Sequence, residues 1–189
     1  MNTNKVLFWS DLHLGHKNIY KFKSSVNEGE RMRPFSLEEC EELMVDNYNR
    51  TVKNGDIVYF LGDIWFDKNH AQILHRMKKG SKRLVMGNHD RKSDVIKYRD
   101  YFQKVYGALY LNKLKAMGCH FPVHPGLLSD NENDENARFI YNIHGHTHEH
   151  FIRHENGTID KRYLNCSVEV VNYTPVTIEQ LIEINAKAT

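Results

Sequence analysis

The sequence predicts an α/β domain built around a mixed sheet. Three observations carry this expectation. Short apolar runs alternate with helical stripes through the first hundred residues, strands then dominate, and one helix closes the chain. The 189 residues are 40% hydrophobic, enough for one core and a single domain over 1–189. Several apolar runs end in clusters of Asp, Asn and His, and strand ends are where such folds place chemistry.

Residues 5–10 (KVLFWS) read as a buried strand, and the polar stretch 19–35 as a loop. Ser36 and Glu39 form a capping box, and Leu37, Cys40, Met44 and Tyr48 follow at helical spacing, so 37–52 is a helix. Asn54-Gly55-Asp56 is a turn, and 57–61 (IVYFL) a buried strand. His70, Ile73, Leu74 and Met77 make a helical stripe that stops at Gly80. A strand at 83–86, a short helix at 93–103, and two short strands in 105–119 turning near Asn112 come next. Residues 129–136 are an acidic loop, 139–143 and 163–171 are strands, and Thr177 with Gln180 caps a last helix across Ile178, Leu181 and Ile182.

A net charge of +2 advertises no polybasic surface, which argues against backbone-driven nucleic-acid binding. Three cysteines without a CxxC pair argue against a disulfide scaffold or an all-cysteine zinc site. No run approaches a membrane span and the first residues do not form a signal peptide, so the expected compartment is cytoplasmic. The twelve histidines, five of them between His144 and His154, point to a metal.

The clusters are Asp11-Leu12-His13, Gly62-Asp63, Gly87-Asn88-His89-Asp90, Cys119-His120 and Gly145-His146-Thr147-His148. Gly and Asp after a strand are ordinary turn residues, and Gly62-Asp63 alone reads that way. His between Asn and Asp serves no turn, and Gly-His-x-His places two imidazoles on one side of an extended segment. If the strands are parallel, the tips converge. Carboxylates, an Asn carbonyl and imidazoles without thiolate suit Mn, Fe, Zn or Co. The donors outnumber one ion's needs; two ions about 3.5–4 Å apart, bridged by a carboxylate, would use them all.

These ordered blocks resemble those of the calcineurin-like metallophosphoesterases: D-x-H, G-D, G-N-H-D/E, H and G-H-x-H. The stretches SDLHLGH, PFSLEE, HFP and VEVVNYTP are similar to the small bacterial and phage branch, and the resemblance runs from residue 7 to about residue 182. It implies a four-layer α/β sandwich, two mixed β-sheets packed together and flanked by helices, with a binuclear site at one sheet end. Carried over by residue, it implies Asp11, His13 and His148 on a first ion, Asn88, His120 and His146 on a second, and Asp63 as the bridge. His89 takes the place of a non-ligand catalytic histidine, with Asp90 orienting it. Both His120 and His124 flank Phe121-Pro122-Val123; His120 ends a strand and is the expected ligand, with His124 lining the pocket. His16 and Arg91 are candidate substrate contacts, and Arg31 and Arg33 are either phosphate clamps or solvated.

The expected cofactors are two divalent ions, manganese first among Fe, Zn, Ni and Co. The expected activity is a metal-dependent phosphoesterase in which a bridging hydroxide attacks phosphorus and His89 protonates the leaving oxygen. A small or nucleotide-like phosphodiester is the expected substrate, with no membrane partner. The alternatives are a protein phosphatase or nuclease of the same fold, or a non-catalytic scaffold like the retromer subunit that resembles this family.

Overall fold

The structure, a computed structural model, describes residues 4–188. Two four-stranded sheets form its centre. The first runs β1 (Val6–Trp9), β2 (Ile57–Phe60), β3 (Ser81–Val85), β4 (Lys104–Tyr106), parallel throughout. The second runs β5 (Leu109–Leu111), β6 (Ala116–Gly118), β7 (Tyr141–His144), β8 (Tyr163–Asn165). Only β5 is antiparallel to its neighbour, so the mixed character lies in this sheet.

β1 and β2 are apolar and buried past their first residue, whereas β3 and β4 begin on the polar, less buried Ser81, Lys82, Arg83 and Lys104. One apolar cluster takes residues from both sheets, Leu7, Trp9, Phe60 and Leu84 from the first and Ala116, Ile143 and Leu164 from the second. Burying each such large side chain stabilises the fold by about 1.5–3 kcal/mol. The edges β1 and β8 meet: Ser10 bridges Ser167, and the Val168 amide donates to the Ser10 carbonyl at 3.1 Å. Further on, Phe8 and Val176 exchange two backbone hydrogen bonds, which covers the rest of the β1 edge.

Helix α1 (Leu37–Thr51) begins at the expected capping box, Ser36 accepting the Glu39 amide and Glu39 accepting the Ser36 amide. Its Tyr48 ring lies against Trp9 and Phe60 of the first sheet. Helix α4 (Ile178–Lys187) is capped by Thr177 and Gln180 and packs on β8 and β1. Its inward residues are Ile178, Leu181 and Asn185; Ile182 faces outward.

The helical stripe before Gly80 forms only a 3₁₀ turn at Lys68–His70 and one turn of helix, α2 (Ile73–Arg76). The Asn49 side chain of α1 takes the Arg76 carbonyl and the Lys78 amide, which removes the groups a longer helix would use. The helix expected over 93–103 shrinks to α3 (Val95–Tyr98). The strand expected over 163–171 stops at Asn165, whose Oδ1 accepts the Ser167 amide and turns the chain. No helix among the described residues is long and apolar enough to cross a membrane.

Candidate metal centre

Six of the parallel strands aim their carboxyl ends at one region. β1 delivers Asp11 and His13, β2 Asp63, β3 Asn88 and His89, β6 His120, β7 His146 and His148, and the turn after β8 delivers Glu169. The chain reverses two to four residues past these tips. Asp11, His13, Asp63, His146 and His148 therefore sit at positive φ, between 48° and 69°. This region costs a non-glycine residue roughly 1–3 kcal/mol, tolerated when surroundings impose it. Gly62 lies at φ 94°, and a Cβ there would stand 2.7 Å from both the Gly87 backbone and His120 Nδ1. Three loops cross at that point, and only glycine lets them pass.

Two groups of donor atoms are close enough for a cation: Asp11, His13 and His148, and Asp11, Asp63 and His120. Asp63 Oδ2 faces both, 3.6 Å from His13 Nε2 and 3.3 Å from His120 Nε2. Asn88 Oδ1 lies 2.9 Å from His120 Nε2. The His146 ring stays outside both groups, packed edge-on against His120, while its backbone amide donates to Asp11. His89 is 44% exposed and belongs to neither group; its amide donates to Asp63 Oδ1 at 2.9 Å.

The chemistry of these atoms fits a cation. His13 is buried, and neither ring nitrogen has a hydrogen-bond partner. Burial, reinforced by the Arg33 charge, holds its pKa well below the usual range, so the ring is a neutral donor beside two carboxylates. His120 Nδ1 lies 2.8 Å from the Leu61 carbonyl and donates to it, which turns Nε2 toward the oxygens of Asn88 and Asp63. Burial works against charge on His120, yet the Asp63 hydrogen bond and the Asp11 and Asp63 carboxylates raise its pKa. Burial would raise the Asp63 carboxyl, but the His120 hydrogen bond and charge bring it to about 2. Burial pushes Asp11 up. Two buried carboxylates ringed by imidazoles suit divalent cations.

Residues remote in sequence hold the loops. Arg33 is fully buried: Nε donates to Glu169 Oε1 at 2.7 Å, and the two amino groups donate to the Leu12 and Asp11 carbonyls. Glu169 Oε1 lies 3.2 Å from His148 Nδ1. Burial opposes ionisation of Glu169, but Arg33 and His148 lower it to about 2. Glu41 accepts the Gly15 amide and pairs with His70. Glu169 lies in a stretch the sequence reads as strand, and Arg33 in one it reads as loop. Their only sequence signal is their place inside or beside VEVVNYTP and PFSLEE.

Three expectations are corrected. Asp90 does not hold the His89 ring; its oxygens accept the amides of Asp63, Ile64 and Gly87, which buckles the β2 loop to the β3 loop. His124 does not line the centre: it is exposed, and its Nδ1 accepts the Gly126 amide to cap the turn 125–127. Arg33 is neither solvated nor a phosphate clamp. His16 stacks on Phe66 at 4.0 Å and lies 5.4 Å from the His13 ring, and Arg91 is exposed beside His89.

Fold and donor set together place a candidate cation-binding centre at the end of a two-sheet α/β sandwich. The family description "Calcineurin-like phosphoesterase superfamily domain" matches residues 5–166, and the chain belongs to that superfamily. It is 30% identical to "Uncharacterized protein MJ1445" of Methanocaldococcus jannaschii, across 99% of this chain and 94% of that protein. It is 26% identical to the "Gene 66 protein" of Mycobacterium phage D29, across 79% and 81% of the two chains. The crystal structure of "the Protein of Unknown Function AQ665 from Aquifex aeolicus" shares the fold, with TM-score 0.65 at 22% identity over 96% of this chain and all of that one. The family match ends before Glu169.

Two outcomes follow from these supports. Asp90→Asn sets an amide NH₂ against backbone donors whichever way it turns. It should cost about 1–3 kcal/mol of stability, read by chemical denaturation in EDTA, where a pure His89-orienting role would cost none. Glu169 has its carboxyl at about 2 against an ordinary 4.5, so its stabilisation is present above pH 4.5 and is lost as pH falls toward 2. Glu169→Gln should flatten that acid limb of thermal stability and destabilise the neutral protein by about 3–5 kcal/mol, leaving Arg33 buried and unpaired.

Proposed function

We propose that this chain is a phosphodiesterase for small or nucleotide-like phosphate esters, working with two divalent cations, manganese first. The observation that carries the reading is the pair of donor groups sharing Asp11, with Asp63 facing both and a half-exposed His89 beside them. Asp11, His13 and His148 would hold one ion, and Asn88 and His120 the other, with Asp63 common to both; His146, packed on His120 but outside both donor groups, would have to turn its ring inward to join the second. Cations held there supply Lewis-acid activation of water and of the phosphoryl group.

The protein's own groups do the rest. His120 and His148 keep their metal-facing nitrogens directed inward through bonds to the Leu61 carbonyl and Glu169. His89, fixed through its backbone to Asp63, presents its ring on the open side, where an N–H donates a proton to the departing oxygen. Arg91, on the same side, meets phosphate oxygens.

The test is turnover of bis-p-nitrophenyl and mono-p-nitrophenyl phosphate after EDTA treatment and reloading with Mn, Fe, Zn, Ni or Co. Diester hydrolysis restored best by Mn is expected; no turnover with any ion overturns the reading. His89→Ala should keep its metal content by elemental analysis while losing roughly 10²–10⁴-fold on esters with poor leaving groups, and less on nitrophenyl esters. Equal losses on both classes would remove His89 as the acid.

A further inference from the structure

Next to His89 lies a cavity of about 310 Å³, walled by Trp65, Phe66, Asp67, Lys68, Arg91 and the Asp94–Lys97 ion pair. Phe66 is 49% exposed. It is also rigid. One face lies on the His16 ring at 4.0 Å and 9°, so its exposure comes from the opposite face and the edge. Its centroid is 5.8 Å from that of His89. Neither Arg91 nor Lys68 has a carboxylate partner among the described residues.

From this geometry we infer that the cavity receives the leaving half of the substrate and that this half is a nucleotide unit, its base stacked on Phe66 and its further phosphate met by Arg91 and Lys68. The inference rests on the phosphodiesterase reading, because His89 marks the leaving-group side only if it protonates that group. A flat ring with polar edges suits this wall better than an alkyl chain, which would strip water from the surrounding charges without replacing their hydrogen bonds. A pre-stacked ring costs little ordering on binding, and the cavity lies at the small end of ligand sites, room for one unit rather than a strand.

Adenosine 5′-monophosphate and ribose 5-phosphate isolate the base. Each is titrated as an inhibitor of bis-p-nitrophenyl phosphate hydrolysis, and separately against a Trp9→Phe variant in EDTA, following the fluorescence of the remaining Trp65 in the cavity wall. The adenine should tighten binding roughly tenfold, the scale of base–aromatic stacking. Phe66→Ala should erase that difference while Phe66→Tyr keeps it, and Arg91→Ala should weaken both phosphates alike. Equal affinity for the two compounds, or a preference that survives Phe66→Ala, overturns the inference even where hydrolysis is intact. If no ester is hydrolysed, the phosphodiesterase reading fails, and the EDTA titration still decides whether the cavity binds a base.

Discussion

The centre depends on one buried cation, the Arg33 guanidinium. It touches the first ligand loop through the Asp11 and Leu12 carbonyls and the last through Glu169, so it ties the end of β1 to the turn after β8. These loops belong to different sheets. A lysine could not replace it, since one ammonium cannot span a carboxylate and two diverging carbonyls at once. Through Glu169 the same charge reaches the His148 ring, and so fixes the orientation of a donor.

The second constraint is backbone curvature. Five candidate ligands occupy left-handed conformations because strand-end loops must double back under the centre. Such turns relax unless something pins them, and Asp90 does so for two loops at once by collecting three amides. Glycines let the loops lie on one another, as Gly62 and Gly87 do beneath His120. Strain, buried carboxylate and close approach form one device for presenting donors at short range.

The strand tips were legible because a parallel sheet sends its carboxyl ends one way, so an apolar run followed by Asp or His marks a ligand position. Asp11, His13, Asp63, His120 and His148 come together on that ground. The supports were hidden. Arg33 and Glu169 are 136 residues apart, and nothing local separates a buried guanidinium from a solvated one. Asp90 follows His89 directly, yet spacing cannot tell whether a carboxylate turns to a ring or to amides. The apolar stripe before Gly80 is longer than the helix it forms because Asn49, on another element, captures the helix end.

The donors come from both sheets, and this binds the centre to the fold as a whole. An unfolded chain holds Asp11, Asp63, His120 and His148 far apart in sequence and offers a cation nothing comparable. By mass action, each tenfold rise in free ion above its dissociation constant then adds about 1.4 kcal/mol to the folded state. The fraction of chains folded, and their resistance to proteolysis, becomes a reading of ion supply, and in metal-poor surroundings scarcity would thin the population of the protein as well as silence it.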